Sequence, residues 1–165
     1  MLQKKICMLG SFSVGKTSLV KRFVESLFSE KYLTTVGVKI DKKVMSAGGQ
    51  DVTLMLWDLY GEDEYQKIRM SYLRGASGYL LVADGTRAAT VEKALAIQDE
   101  AEKNLGKVPC VLALNKCDLI EEWAIAAERE AELAARAGRV IRTSAKTGEG
   151  VEQAFEELTK AMMAT

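Results

Sequence analysis

Histidine is absent from the 165 residues of this chain. That absence excludes histidine-based catalytic triads, histidine zinc sites and imidazole general bases. Lysine plus arginine and aspartate plus glutamate each number 23, so the net charge is zero. A neutral chain gives no indication of nucleic acid or an anionic membrane as its main partner. No apolar run is long enough to cross a bilayer, so no transmembrane segment is expected.

Cysteine and proline are scarce, with three cysteines and one proline. An odd number of cysteines without the spacing of a disulfide framework predicts reduced thiols and a cytoplasmic protein. Cys7 and Cys110 lie in apolar runs and are predicted to be buried in the core. The N-terminal Met-Leu-Gln-Lys-Lys is not expected to be a signal peptide, and it lacks the glycine that myristoylation needs.

Strand and helix patterns alternate along the chain without an evident linker or repeat. Apolar runs and alternating patterns predict six strands, near 5–9, 38–44, 52–57, 79–83, 110–114 and 139–142. Helical periodicity predicts helices near 16–27, 91–105, 121–137 and 151–162, and residues 28–37 are predicted to form a loop. A turn at 47–50 makes the second and third strands antiparallel. We therefore expect one α/β domain over residues 1–165, a three-layer sandwich with a six-stranded, mostly parallel sheet, one antiparallel edge strand and helices on both faces.

The segment Gly10-Ser-Phe-Ser-Val-Gly15-Lys16-Thr17 fits the phosphate-binding pattern G-x-x-x-x-G-K-[ST]. It directly follows an apolar strand pattern and directly precedes an amphipathic helix pattern, which is the context that this loop requires. Its backbone N–H groups and the helix N-terminus would form a concave positive surface for phosphates. Lys16 would place its charge on the β- and γ-phosphates, and Thr17 would offer its hydroxyl to Mg²⁺. The alternative is a plain glycine turn with a surface lysine.

A second motif, D-x-x-G, consists of Asp58 and Gly61 directly after the third strand. The aspartate is placed to hold Mg²⁺, usually through water, and the Gly61 N–H can approach a γ-phosphate because no Cβ blocks it. Taken alone the pattern is weak, and a simple turn is the alternative. Its position at the end of a strand, in a chain with a phosphate loop, favours the functional interpretation.

The third motif, Asn115-Lys116-Cys117-Asp118, follows the fifth strand. The Asp118 carboxylate can accept two hydrogen bonds from N1–H and the exocyclic amine of guanine. Adenine lacks that donor pair and would leave the carboxylate unpaired, so the motif predicts guanine specificity. The Lys116 stem can cover the base plane. The alternative for the segment 115–118 is a solvated turn. The segment 143–146 follows the last strand and can supply a backbone N–H to the guanine oxygen.

These motifs, in this order, resemble the small GTPases of the Ras superfamily over essentially the whole chain, and within it the Rab group most. Segments 32–38 and 71–78 resemble the Rab first switch and the segment after the second switch. The resemblance implies bound GTP or GDP with Mg²⁺. It implies nucleotide contacts from Ser13, Val14, Gly15, Lys16, Thr17, Ser18, Phe28, Thr35, Gly61, Asn115, Lys116, Asp118, Ser144, Ala145 and Lys146. It implies Thr17, Thr35 and Asp58 as metal ligands, with Lys16, Gly61 and Glu62 in catalysis.

Two of these implications depend on the resemblance alone. Phe28 would pack edge-on beside the guanine, although periodicity by itself favours a core aromatic at that position. The positions that match the aromatic triad read by Rab partners are Ile40, Trp57 and Tyr72, which predicts a surface for effector and regulatory proteins. The alternative is that Trp57 and Tyr72 only cap the edge of the sheet.

The chain departs from the family around the γ-phosphate. Where the family usually reads Trp-Asp-Thr-Ala-Gly-Gln, this chain reads Trp57-Asp58-Leu59-Tyr60-Gly61-Glu62. Tyr60 thus replaces a small residue and Glu62 replaces the glutamine that orients the attacking water. Phe12 lies in the phosphate loop at a position where the family often has glycine. Glu62 could accept a hydrogen bond from that water, but it cannot donate one to a phosphate oxygen. Its charge is repelled by the γ-phosphate unless Mg²⁺ or Lys16 compensates. These residues predict slow intrinsic hydrolysis and a poor fit to the usual GTPase-activating proteins.

Two other functions remain open from the residues. One is a hydrolysis-deficient pseudo-GTPase that acts as a GTP-bound scaffold or assembly subunit. The other, a P-loop kinase or ATPase, is disfavoured by the segment 115–118. No cysteine follows Cys117, so no prenyl anchor is expected on this sequence. Membrane association is expected only through a partner or a tail that is missing from the sequence.

Overall fold

The structure is a computed structural model of the chain and describes residues 2–11, 13–25, 32–33, 38–59 and 71–164. The elements in this part of the chain are, in order, β1 (Leu2–Gly10), α1 (Lys16–Glu25), β2 (Tyr32–Leu33), β3 (Val38–Ala47), β4 (Gln50–Leu59), β5 (Gly78–Asp84), α2 (Ala88–Leu105), β6 (Cys110–Asn115), α3 (Ala127–Ala137), β7 (Val140–Arg142) and α4 (Val151–Met163). A single 3₁₀ turn, Ile120–Glu122, precedes α3. None of the described helices combines the length and the apolar character needed to cross a membrane.

One sheet contains all the described strands, in the order β2-β3-β4-β1-β5-β6-β7. The pairs β4–β1, β1–β5, β5–β6 and β6–β7 are parallel, and β3 runs antiparallel to β4. Gly48 and Gly49 connect β3 to β4 with positive φ angles of 60° and 78°, as a two-residue hairpin turn of type I′ requires. The predicted mostly parallel α/β sheet with an antiparallel hairpin is confirmed. The short strand β2 lies in the segment predicted as a loop and adds a further antiparallel edge beside β3.

Helices cover both faces of the sheet because side chains alternate along each strand. In β1, Ile6 and Met8 pack in a cluster with α1 and α4, whereas Cys7 and Leu9 pack in a cluster with α2 and α3. In the first cluster, the ring of Phe23 in α1 stacks on the ring of Phe155 in α4, with the ring centroids 4.0 Å apart. Cys7 is buried and unpaired as predicted, as is the cysteine that begins β6.

The helix predicted from residue 121 is wrong in its first turns, since α3 begins only at Ala127. The backbone at Trp123 is extended, and the N–H of Ala124 donates to the Gly85 carbonyl at 2.8 Å. The Trp123 ring also lies so close to Gly85 that a Cβ there would overlap it. Contacts with the end of β5 therefore hold this segment extended, a constraint that local periodicity does not contain. The helix ends at Gly138 as predicted, with φ of 92°.

Candidate functional site

The loop 10–15 connects β1 to α1 and depends on two glycines. A Cβ at Gly10 would lie 2.5 Å from the carbonyl oxygen of Val82 on the neighbouring strand β5. Gly15 has φ of 100°, and a Cβ there would overlap the side-chain amide of Asn115. The Gly15 carbonyl accepts the N–H of Leu19 at 2.9 Å, which is the first hydrogen bond of α1. Close packing against β5 and β6 thus explains why the sequence has glycine at both ends of the loop.

Asn115, the last residue of β6, connects this loop to the loop after β7. Its side chain is 2% exposed. Nδ2 donates to the Val14 carbonyl at 3.0 Å, and Oδ1 accepts the hydroxyl of Thr143 at 3.1 Å. Because the C=O and N–H of a trans peptide point in opposite directions, this contact turns the Gly15 N–H away from Asn115. Asn115 therefore orients a backbone donor of the loop.

Lys16 and Thr17 begin α1 and point toward the end of β4. The buried Lys16 ammonium donates to the Gly10 carbonyl at 3.3 Å and to the Leu59 carbonyl. The Thr17 hydroxyl donates to Oδ2 of Asp58 at 2.5 Å. The strand order explains the proximity, since β1 and β4 are parallel neighbours whose carboxyl ends lie side by side.

Asp58 fits a magnesium site. It is fully buried, and its Oδ1 atom has no hydrogen-bond partner in the part of the chain that the structure describes. A buried carboxylate oxygen without a donor is costly unless a cation compensates it. A carboxylate oxygen beside a threonine hydroxyl is a hard-oxygen donor set, which suits Mg²⁺ with phosphate and water completing the shell. The described residues contain no cluster of three or more cysteine, aspartate or glutamate side chains that would hold a metal by themselves.

A pocket of about 510 Å³ opens beside the loop 10–15. The residues that line it come from that loop, α1 and the loops after β6 and β7: Gly15, Ser18, Asn115, Lys116, Asp118, Leu119, Ala145 and Lys146. All except Leu119 were predicted from the sequence as nucleotide contacts. Leu119 is an apolar residue that is 37% exposed. Its position directly after Asp118 is the sequence signal that could have identified it as part of the pocket.

Asp118 is held at this pocket by Ser144, whose hydroxyl donates to Oδ1 at 2.8 Å. Backbone hydrogen bonds also join the two loops, from the Cys117 N–H to the Thr143 carbonyl and from the Thr143 N–H to the Leu114 carbonyl, each at 2.9 Å. The predicted residues of the two motifs are thus brought together. The two loops therefore restrain each other through the Ser144–Asp118 hydrogen bond and through their backbone hydrogen bonds.

Sequence reasoning missed Asp84, at the end of β5. Its carboxylate is 1% exposed and pairs with the ammonium of Lys116 and with Arg87, each at 2.9 Å. Burial opposes ionisation, but hydrogen bonds from Thr86, Lys116 and Arg87 outweigh it and lower the pKa of Asp84 to about 2. The sequence signal that could have identified it is an aspartate directly after an apolar run, a position that Asp58 also has.

The remaining predicted site residues divide into two groups. Those outside the described residues are Phe12, Phe28, Thr35, Tyr60, Gly61 and Glu62. The three predicted surface residues are described and lie together. Ile40 pairs across the β3–β4 hairpin with Trp57, and the Trp57 and Tyr72 rings lie 5.9 Å apart. All three are partly buried and pack against the core.

A phosphate loop between β1 and α1, at the carboxyl edge of a mostly parallel sheet, defines the chain as a P-loop nucleotide-binding protein of the α/β class. Residues 5–164 match the family model described as "Ras family". The chain therefore belongs to the Ras family of small GTPases, a family of switches that bind GTP and GDP and hydrolyse GTP.

Known relatives are Rab proteins. The chain is 33% identical over 168 residues to Ras-related protein Rab-32C of Dictyostelium discoideum, covering 96% of this chain and 73% of the relative. It is 34% identical over 163 residues to Ras-related protein Rab-21 of Homo sapiens, covering 98% and 72%. It is 31% identical over 161 residues to Ras-related protein Rab-13 of Canis lupus familiaris, covering 96% and 79%. The predicted resemblance to the Rab group is confirmed.

Proposed function

We propose that residues 1–165 form one small-GTPase domain that binds guanine nucleotides with Mg²⁺ at the site described above and hydrolyses GTP slowly. The observation that carries the proposal is the 510 Å³ pocket, because residues of the phosphate loop and of both predicted guanine motifs line it together. The proposed nucleotide contacts in the described part are Ser13, Val14, Gly15, Lys16, Thr17, Ser18, Asn115, Lys116, Asp118, Ser144, Ala145 and Lys146. Phe28, Thr35 and Gly61 complete the set.

Asp118 supplies the preference for guanine. Its carboxylate is restrained by Ser144 and lies at the rim of the pocket, where it can accept the N1–H and the exocyclic amine of the base. The Ser144 N–H donates to the Glu149 carbonyl at 2.9 Å. The backbone N–H that would meet the guanine oxygen therefore comes from Ala145 or Lys146. An adenine would leave the carboxylate without its two donors, which disfavours ATP.

Thr17 and Asp58 would hold Mg²⁺, with Thr35 as a further ligand in the GTP state. The metal supplies charge neutralisation of the phosphate oxygens when it is bound. The Lys16 ammonium, which donates to the Gly10 carbonyl at the start of the loop, would stabilise negative charge on the β- and γ-phosphates. The buried Oδ1 atom of Asp58, which has no hydrogen-bond partner among the described residues, supports this assignment.

Binding and base preference are tested by titrating the protein with fluorescent mant-GDP and mant-ADP. We expect tight mant-GDP binding, weak mant-ADP binding and faster mant-GDP release when EDTA removes Mg²⁺. Asp118→Ala should weaken mant-GDP binding by about 100-fold, because two charge-assisted hydrogen bonds are lost. Glu121→Ala is the matched control, since Glu121 is an exposed acid of the same loop that does not line the pocket. Equal affinity for the two nucleotides, or equal effects of the two variants, would contradict the assignment.

Slow hydrolysis follows from the chemistry of three residues. Glu62 replaces the glutamine that orients the attacking water and donates to the phosphate, and its charge opposes the negative γ-phosphate. Tyr60 and Phe12 put large rings where the family usually has small residues. We expect an intrinsic single-turnover rate below the roughly 4 × 10⁻⁴ s⁻¹ of unassisted Ras.

Single-turnover phosphate release from wild type, Glu62→Gln and Phe12→Gly tests this. A faster Glu62→Gln enzyme would mean that the charge is inhibitory, and a slower one that Glu62 positions the water. A wild-type rate at or above that of Ras would refute slow hydrolysis. Purified protein that holds mostly GTP, with no measurable turnover, would instead favour the GTP-bound scaffold.

Two further elements of the proposal concern partners and location. Effector and regulatory proteins would contact the surface formed by Ile40, Trp57 and Tyr72, which the paired register of β3 and β4 brings together. The free cysteines are consistent with a reducing, cytoplasmic compartment.

A further inference from the structure

We propose that Arg87 is a positioning residue that slows the release of bound guanine nucleotide by holding the Ser13–Val14 peptide of the phosphate loop. The inference rests on the proposed nucleotide binding. Arg87 directly precedes α2 and belongs to none of the motifs recognised in the sequence. It lies 74 residues from Ser13 along the chain, yet the two are in direct contact.

The Arg87 guanidinium uses two of its nitrogens on two different loops. Nε donates to Oδ2 of Asp84 at 2.9 Å, and Nη2 donates to the Ser13 carbonyl at 2.9 Å. Lys116 has the same two partners, with its ammonium 2.9 Å from Oδ2 of Asp84 and 3.3 Å from the Ser13 carbonyl. Two cations therefore converge on one carboxylate and one carbonyl, which joins the end of β5, the guanine motif and the phosphate loop.

The Asp84 carboxylate that binds both cations is itself held in place by hydrogen bonds. Its other oxygen, Oδ1, accepts the backbone N–H of Thr86 at 2.9 Å and the Thr86 hydroxyl at 2.6 Å. The carboxylate is buried, and hydrogen bonds keep it ionised over the physiological pH range. Arg87 cannot move away from the loop without leaving this carboxylate, so the guanidinium stays directed at Ser13 although its own side chain is half-exposed.

Ser13 needs such support because its φ is 64°, a left-handed conformation that an L-residue adopts at a cost. The peptide is trans, so a Ser13 carbonyl that faces Arg87 turns the Val14 N–H to the opposite side. Asn115 has the same effect on the next peptide, through the Val14 carbonyl. The two contacts orient two successive N–H groups, and successive N–H groups of this kind form an anion-binding concavity.

Removal of Arg87 leaves the longer Lys116 contact to hold the Ser13 carbonyl. The loop then has less restraint on its left-handed residue, and the Val14 N–H is less often in the orientation that a phosphate requires. The effect should appear mainly in the dissociation rate, because a preorganised loop slows the loss of contacts already made.

The test is the rate of mant-GDP release from the full chain with Mg²⁺ and excess unlabelled GDP. We expect Arg87→Ala to accelerate mant-GDP release about five- to tenfold, because the partly exposed, charge-assisted hydrogen bonds of Arg87 are lost. Arg87→Lys should restore the wild-type release rate only in part, because one ammonium lacks the two separate nitrogens with which the guanidinium reaches Asp84 and Ser13. Arg129→Ala is the matched control, since it removes an ion pair between α3 and Glu92 of α2 away from the loop. It should release mant-GDP at the wild-type rate.

The outcomes separate the inference from the function on which it rests. Release from Arg87→Ala within twofold of wild type overturns the inference, and so does equal acceleration in Arg129→Ala, which would indicate only general docking of α2. A wild-type chain that does not retain mant-GDP overturns the proposed function together with the inference. Tight wild-type binding with an unchanged Arg87→Ala rate overturns the role of Arg87 alone.

Discussion

Asn115→Ala removes the side chain that joins the phosphate loop to the loop after β7, and its effect can be estimated from the structure. Two buried hydrogen bonds are lost, one to the Val14 carbonyl and one from the Thr143 hydroxyl. Each leaves a buried polar partner unsatisfied, at a cost of about 1–3 kcal/mol. The two together cost about 2–6 kcal/mol, with about 4 kcal/mol as the central expectation, equivalent to about a 1,000-fold change in an equilibrium constant.

This cost is divided between folding and binding, so two measurements are needed. The first is the affinity for mant-GDP at 25 °C, and the second is the free energy of unfolding in urea without nucleotide. We expect the two losses to sum to about 4 kcal/mol, with GDP affinity reduced at least about tenfold because the Gly15 N–H loses its orientation.

Thr143→Val is the matched control. It removes the hydroxyl that Asn115 accepts and leaves the Asn115 contact with the Val14 carbonyl in place. GDP affinity should therefore fall less than in Asn115→Ala. A summed loss below about 1 kcal/mol in Asn115→Ala, or equal losses of affinity in the two variants, would refute the reasoning that Asn115 orients the loop.

Three further predictions concern the loop, the core and pH. Gly15→Ala should weaken mant-GDP binding at least about tenfold, because residue 15 has φ of 100° and its Cβ would overlap the Asn115 amide; unchanged affinity would contradict this. Phe155→Ala should lower the free energy of unfolding in urea by about 3–5 kcal/mol, because a buried ring stacked on Phe23 is lost; a loss below about 1 kcal/mol would argue against this packing. The pKa of Asp84 is lowered from 3.8 to about 2, so its ionisation contributes about 2 kcal/mol above pH 4, which is lost as pH falls through 2. The stability difference between wild type and Asp84→Asn should stay constant from pH 7 to about pH 5 and shrink between about pH 4 and pH 2. A difference that stays constant down to about pH 2 would refute the assignment.

Local signals were enough to predict most of the site. The segment from Gly10 to Thr17 is contiguous, and its chemistry depends on glycine, lysine and threonine at set spacings between a strand and a helix. The guanine motif from Asn115 to Asp118 is contiguous as well. Because both motifs follow apolar strands, the rule that ligands bind at the carboxyl edge of a parallel sheet predicts that the two motifs lie close together.

The fold could be predicted where periodicity reflects burial and not where distant contacts override it. Strands such as β5 and β6 are buried on both faces and read as continuous apolar runs. The start of α3 could not be predicted, because Trp123 is held extended by Gly85, a residue far away in sequence. The strand Tyr32–Leu33 forms only because β3 offers it an edge.

By itself, then, the sequence determined the α/β class, the phosphate loop, the guanine motif and the resemblance to the Ras family, because each of them depends on short contiguous patterns of residues. Only the tertiary structure decided which side chains restrain that loop. Arg87 meets Ser13 across 74 residues, and Asn115 meets Val14 across 101. Such pairs depend on which strands become neighbours and on the direction of each side chain, and neither is encoded at fixed spacing along the chain.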